Sequence, residues 1–287
     1  MSTDGAPLSL HRPPPTVSDV LPSERVLDLF AVPDDLRSLP GGQDGSVLAG
    51  DLVLSPGRDP QIAEQLDPRL ARLAAHLDTA SRRRSVRLAM PIPARDGTWV
   101  VEGWSASRYE PGSRDCAHVD VVRATGSLLH AELAQAVAEW PLATQPPRHR
   151  WDRAERIAFG AGCVDLAEFA EAQADLAREL LSERTDEPLG ANQLVHGDLA
   201  GKVLLDAADA PLVIDFAPYW RPVLWADAVC VLDLVMWAGA DPRLMHDWTG
   251  GARLQAMLRA ALFRLLADDE PDAAHVDAYR RVLRPLL

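Results

Sequence analysis

The stretch "HGDLAGKVLL", His196 to Leu205, is followed after a five-residue gap by "PLVIDF", Pro211 to Phe216. Short apolar runs alternate here with small, turn-forming residues, which predicts strand, loop and strand over Leu194 to Phe216. Asp198 then sits on a loop that leaves one strand, and Asp215 ends the next. Either aspartate taken singly is equally well read as a turn-former beside a strand. Lys202 stands between them and is the only lysine in the chain, since the other 28 basic residues are arginine. A codon bias of the gene accounts for an arginine preference of this kind, so the preference itself carries no chemistry.

The pattern extends on both sides of this stretch. "SERVLDLFAV" predicts a short helix. "LPGGQDGSVLAGDLVLSP", Leu39 to Pro56, predicts a glycine turn followed by a β-hairpin over Ser46 to Leu54. "DPQIAEQLDPRLARLAAHL" spaces Ile62, Leu66, Leu70, Leu73 and Leu77 as one helix face, which Pro68 is expected to kink or divide. "VRLAMPIPARDGTWVVEGWSASRYEPG" predicts two strands joined through the Asp96-Gly97 turn. Long helices are predicted over Ala117 to Glu139, with Val121, Leu128, Leu129, Leu133 and Val137 facing inward, and over Val164 to Glu183. From about Leu224 to the end the pattern is helical. The organisation is therefore a proline-rich, poorly ordered 1–15, a β-rich lobe over 16–104, a linker over 105–112, and a helical lobe over 113–287 with a β-hairpin inserted.

The chain of 287 residues carries a net charge of −13, which argues against a general nucleic-acid surface, because that needs clustered positive charge. The basic run "SRRRSVR", Ser81 to Arg87, is short and isolated, and reads as a solvated loop or strand edge. No apolar run is long enough to span a bilayer. "MSTDGAPLSLHRPPP" lacks the basic start and apolar core of an export signal, so a cytoplasmic location is expected. Cys116, Cys163 and Cys230 are too widely spaced for a paired metal or redox motif, and reduced thiols are expected of them.

Taken together, "LVHGDLAGKVLL…PLVIDFAPYWRP", "LPGGQ" and "AGDLVLSP" resemble the aminoglycoside phosphotransferase family, and within it a little-characterised actinobacterial subgroup. The resemblance covers about Leu39 to Trp237. It implies an α+β, bilobal, protein-kinase-like fold with a nucleotide, ATP or GTP, in the cleft together with Mg2+. It implies Asp198 as the group that orients or deprotonates an attacking hydroxyl, Asp215 as the metal ligand, and His196 as a brace of the loop. Gly41, Gly42, Gln43 and Ser46 would cover the phosphates, and the backbone of Trp104 to Tyr109 would hold the base. Ser55 occupies the place of the strand cation, and Glu64 that of its helix partner. A hairpin turn and an exposed helix glutamate are equally good readings of the glycine turn and of Glu64.

This chain departs from the family pattern at two positions. Ser55 replaces an expected lysine, and Lys202 replaces an expected asparagine that would bind a metal. A protonated lysine has donors only and cannot ligate a cation. Three accounts stay open. The ammonium of Lys202 has taken over the phosphate-binding charge, or it pairs with Asp198 or Asp215 and leaves a catalytically impaired nucleotide- or metabolite-binding pseudokinase, or it points to solvent. The acceptor is expected to be a small hydroxyl-bearing molecule bound by the helical lobe near Tyr219, Trp220, Arg221, Trp225 and Trp237. Core packing is the better reading for Trp237 and an open one for Trp225. The acids Asp268, Asp269, Glu270 and Asp272 would attract a cationic amine, or else form a solvated turn.

Overall fold

The computed structural model describes residues 21–39, 45–79, 85–140, 149–161, 165–268 and 271–287. Cys163 and Gly41 to Gln43 lie outside these segments. The chain opens with α1 (Glu24–Phe30), whose first turn is capped by the Ser23 hydroxyl. Five antiparallel strands follow: β1 (Leu36–Ser38), β2 (Val47–Ala49), β3 (Leu52–Pro56), β5 (Pro91–Ile92) and β6 (Trp104–Arg108), in the order β1-β2-β3-β6-β5. The expected hairpin is β2–β3, turned at Gly50, whose φ of +62° suits glycine. The Asp96-Gly97 turn is present, with Asp96 accepting from the Thr98 amide. It does not join two strands directly, because a second tight turn at Glu102-Gly103 precedes β6. Strand β6 runs through Arg108, so the first half of the expected 105–112 linker is part of the sheet.

Helix α2 (Pro60–Thr79) runs unbroken through Pro68. A proline inside a helix costs about 3 kcal/mol. Leu66, Leu70, Leu73 and Leu77, all buried on one face, offset that cost and keep the element whole. Strand β4 (Arg87–Leu88) pairs parallel with β10 (Pro211–Val213), which pairs antiparallel with β9 (Val203–Leu205), and β9 with β7 (Arg114–Asp115). Strand β8 (Gln193–His196) pairs with β11 (Pro218–Arg221).

The helical lobe comprises α3 (Val119–Ala136), α4 (Arg150–Ala158), α5 (Glu171–Glu183), α6 (Val223–Trp237), α7 (Gly251–Ala267) and α8 (Ala273–Leu283). In α3 the expected Leu129 and Leu133 are buried, as is Val137 just after the helix, while Leu128 is exposed and Val122 rather than Val121 is the buried valine. The helix expected from Val164 is a single 3₁₀ turn at Leu166–Glu168 and then α5. Phe169 between them is extended and packs its ring under Arg153, a break that no glycine or proline announces.

Three apolar cores result. One fills the small lobe around Leu54 and Trp104, and one fills the helical lobe around Trp225 and Phe263. The third packs Leu66, Leu70 and Leu77 of α2 against Leu129, Leu194, Val213 and Leu234, so α2 fastens the small lobe to the strands that bear the motif. Arg87 reinforces this seam, donating to Asp78, Glu110 and Asp206 at 2.8 Å each. Arg87 and Asp206 are both buried, so removal of the guanidinium strands a carboxylate without its partner. Arg87→Met is therefore expected to cost about 3 kcal/mol of stability, measured by urea denaturation.

Candidate functional site

The loop between β8 and β9 is shaped by its own histidine. His196 is fully buried at the end of β8, and its Nδ1 accepts the Asp198 amide at 3.1 Å. The neutral ring therefore carries its proton on Nε2, which faces the Ile214 carbonyl at 3.4 Å. One ring thus links the Asp198 loop to the chain that carries Asp215. The His196 amide in turn donates to Nε2 of His130, on α3, at 3.1 Å. Gly197 has Tyr219 against it: an added Cβ would meet the tyrosine ring at 2.3 Å.

Asp198 is held from below by a buried guanidinium. Arg264, on α7, donates through Nη2 to Asp198 Oδ1 at 2.5 Å. Its Nε donates to Asp233 Oδ1 at 2.9 Å, and Nη2 also reaches Asp233 Oδ2. The same guanidinium lies over the rings of Trp151 and Phe263. Desolvation works against its charge, but the carboxylates of Asp233 and Asp198 outweigh it and raise the Arg264 pKa.

Lys202 is buried and its ammonium is paired with the Asp215 carboxylate. The Lys202 amide donates to Leu199, and its carbonyl accepts the Ile214 amide, which fixes the lysine's backbone in the loop. Asp215 follows β10 by two residues and takes a φ of +52°, an uncommon conformation for a residue with a Cβ. Of the accounts open from the sequence, pairing with Asp215 is the geometry found.

The nucleotide-side expectations fare differently. Ser55 lies on β3 and shares a hydrogen bond of 2.9 Å with the Ser46 hydroxyl, while its carbonyl accepts from Ser105. Glu64 is exposed and accepts the Trp99 amide at 3.3 Å. A different pair, Arg58 and Asp67, provides the buried charge of this region. Among the aromatic residues expected to wall an acceptor pocket, Trp225 is fully buried against Phe159, Tyr219 and Phe263 and belongs to the core. Arg221 is paired with Glu155 over the Phe159 ring. Trp237 packs on His275, and Trp220 on Trp140. Of the acidic stretch, Asp269 and Glu270 lie outside the described residues, and the other two acids are used locally. Asp268 accepts from His275 and Tyr279, and Asp272 caps α8.

No family model matches the chain, and no curated protein matches it. Solved structures do. An aminoglycoside phosphotransferase from Alicyclobacillus acidocaldarius aligns over 93% of this chain and 93% of its own, with a TM-score of 0.54 and 13% identity. A choline/ethanolamine kinase family protein from Mesorhizobium loti aligns over 90% and 92%, with a TM-score of 0.50 and 17% identity. The chain has the aminoglycoside phosphotransferase and choline kinase fold. Among the described residues, no helix is long and apolar enough to cross a membrane.

Arg264, Asp233, His130, Arg58 and Asp67 were not singled out from the sequence. A signal for two of them exists. Asp233 is the lone charge in "VCVLDLVMW" and Arg264 the lone charge in "AALFRLLA". Single charges of opposite sign in two apolar helices are expected to meet, because neither can be buried alone.

Burial pushes both His130 and His196 down to about 4, from an ordinary value of 6.5. The folded state keeps both rings neutral where the unfolded chain takes up protons. Stability is therefore full above about pH 6.5 and falls as the pH drops toward 4, by up to about 1.4 kcal/mol per pH unit for each ring. His130→Gln keeps an acceptor for the His196 amide and is expected to remove about half of this slope, read from urea denaturation between pH 7 and 4.5.

Proposed function

We propose that this protein transfers the terminal phosphoryl group of a nucleoside triphosphate, ATP or GTP, to a hydroxyl of a small molecule, with Asp198 orienting that hydroxyl. The observation that carries this reading is the charged apparatus beneath Asp198. Arg264 and Asp233 are almost wholly buried, and an ion pair so placed costs several kcal/mol of desolvation that well-packed apolar side chains would avoid. A fold that needed only a core would have no use for it. What the network achieves is a carboxylate at the lip of the β8–β9 loop, still 21% exposed, with its backbone tied by His196 and its side chain by Arg264. Phosphoryl transfer asks a protein for such positioning and for charge compensation, and for little covalent chemistry.

In the reaction, the acceptor oxygen forms a bond to the terminal phosphorus as the bond to the bridging oxygen breaks. The bonding pair leaves with the nucleoside diphosphate, and the hydroxyl proton passes to the Asp198 carboxylate. Lys202 sets a fixed ammonium beside Asp215, where positive charge favours the phosphate oxygens. Magnesium bound with the nucleotide would neutralise phosphate charge, with Asp215 as its protein ligand. The donor set does not make a two-metal cage, because that one carboxylate is already shared with an ammonium, so no step is derived through a metal. The names choline/ethanolamine kinase and aminoglycoside phosphotransferase, borne by proteins of this fold, support a small-molecule acceptor. A nucleoside triphosphate donor supports a cytoplasmic location for the reaction.

The Lys202–Asp215 pair also supports a second reading, a pseudokinase that binds nucleotide, metabolite or protein without transfer, since the pair engages the carboxylate a metal would use. Nucleotide binding by calorimetry, with and without Mg2+, and transfer of labelled phosphate to a panel of amino alcohols and aminoglycosides separate the two. For the transferase, Asp198→Ala is expected to lower transfer by about 100-fold or more while ATP binding is kept. Lys202→Ala is expected to weaken ATP binding about tenfold. Absence of transfer from the wild type to every acceptor, with Lys202→Asn creating tight Mg2+-dependent ATP binding, would establish the pseudokinase instead.

A further inference from the structure

Arg58 lies in the short connection between β3 and α2, with its side chain 18% exposed, and its guanidinium has two separate tasks. Nη2 donates to Oδ1 of Asp67, two turns into α2, at 2.5 Å. Nη1 donates to the backbone carbonyl of Phe216 at 3.0 Å, across 158 positions of sequence. Asp67 is itself buried, so desolvation acts on its carboxylate to raise its pKa and Arg58 opposes that. The carboxylate thus holds the guanidinium in the one orientation that reaches Phe216.

Phe216 is the residue after Asp215, at the point where the backbone has taken its left-handed turn. Its ring meets His196 edge-on at 5.2 Å, and the next residue, Ala217, accepts the Gly197 amide at 3.0 Å. The segment over Asp215 to Ala217 is therefore fastened on the helical-lobe side by the Asp198 loop. On the small-lobe side Phe216 packs against the cluster that contains the α2 leucines, and Arg58 supplies a hydrogen bond to its backbone.

We propose that Arg58 is a positioning residue of the cleft. Oriented by Asp67, it holds the Asp215–Phe216 segment against the small lobe and so sets where the Lys202–Asp215 pair faces a bound nucleotide. The consequence for nucleotide binding rests on the function proposed above; the consequence for the segment itself does not.

Two variants of the full chain separate positioning from bulk stability. Arg58→Met leaves Asp67 buried without its partner and is expected to lower the melting temperature. Arg58→Met with Asp67→Leu removes both charges together and is expected to restore it, since an apolar pair of similar size carries no buried charge. Hydrogen exchange of the peptide spanning Ile214 to Tyr219 is expected to accelerate about tenfold in both proteins, because the bridge to Phe216 is gone from both. ATP affinity, measured by calorimetry, is expected to fall about tenfold in both. Wild-type exchange in the double variant would overturn the proposal, since the segment would then be held without Arg58. If the wild-type protein binds no ATP, the proposed function fails, and the exchange measurement still decides the role of Arg58.

Discussion

A buried guanidinium is costly unless its charge is compensated and its donors are satisfied, and the centre of this protein is arranged around one such constraint. Arg264 reaches from α7 to Asp233 on α6 and to Asp198 on the loop after β8. Two helices and a loop are thereby set relative to one another by charge as well as by packing. Removing Arg264 would leave the Asp233 carboxylate buried without its partner, in a place of low polarity. The aromatic rings of Trp151 and Phe263 close over the guanidinium, so the pairing takes place in surroundings of low polarity. There the attraction between opposite charges is stronger than at a surface.

The same rule recurs toward the small lobe. Asp215 has Lys202, Asp67 has Arg58, and Asp206 has Arg87. In an acidic chain this pairing is selective: the buried carboxylates Asp67 and Asp206 and the more open Asp215 are each given a cation, and acids such as Glu64 are left at the surface. The two candidate reactive carboxylates differ in their settings. Asp198 is backed by a buried arginine that cannot release its proton. Asp215 shares its charge with a lysine, a compact point charge on a flexible stem that a phosphate oxygen could also attract. Geometry thus separates a carboxylate backed by a buried arginine, Asp198, from a more open one paired with a lysine, Asp215.

Much of the fold could be read along the chain. The β2–β3 hairpin followed from alternation and Gly50, and α2 from its leucine spacing, even with Pro68 inside it. What escaped the sequence was decided by packing. Along α3, Leu129 and Leu133 are buried as expected, but that Leu128 is exposed and Val122 buried is a choice that their similar apolarity does not make. The break at Phe169 comes from a ring seated under Arg153, without any helix-breaking residue. Trp225 read as a pocket wall because aromatic residues serve walls and cores alike. Only its neighbours Phe159, Tyr219 and Phe263 assign it to the core.

The sequence by itself determined the candidate chemistry: the acids at Asp198 and Asp215, the loop between them, and the two departures at Ser55 and Lys202. These are matters of residue type and spacing, which local structure preserves. The tertiary structure alone decided the partners. That Lys202 turns to Asp215, 13 positions on, that Asp198 rests on Arg264, 66 positions on, and that Arg58 serves Asp67 and Phe216, 9 and 158 positions on, are contacts that residue type and spacing do not assign. Their energy depends on burial and distance. Neither quantity is a property of a segment, and both arise only when the lobes have packed.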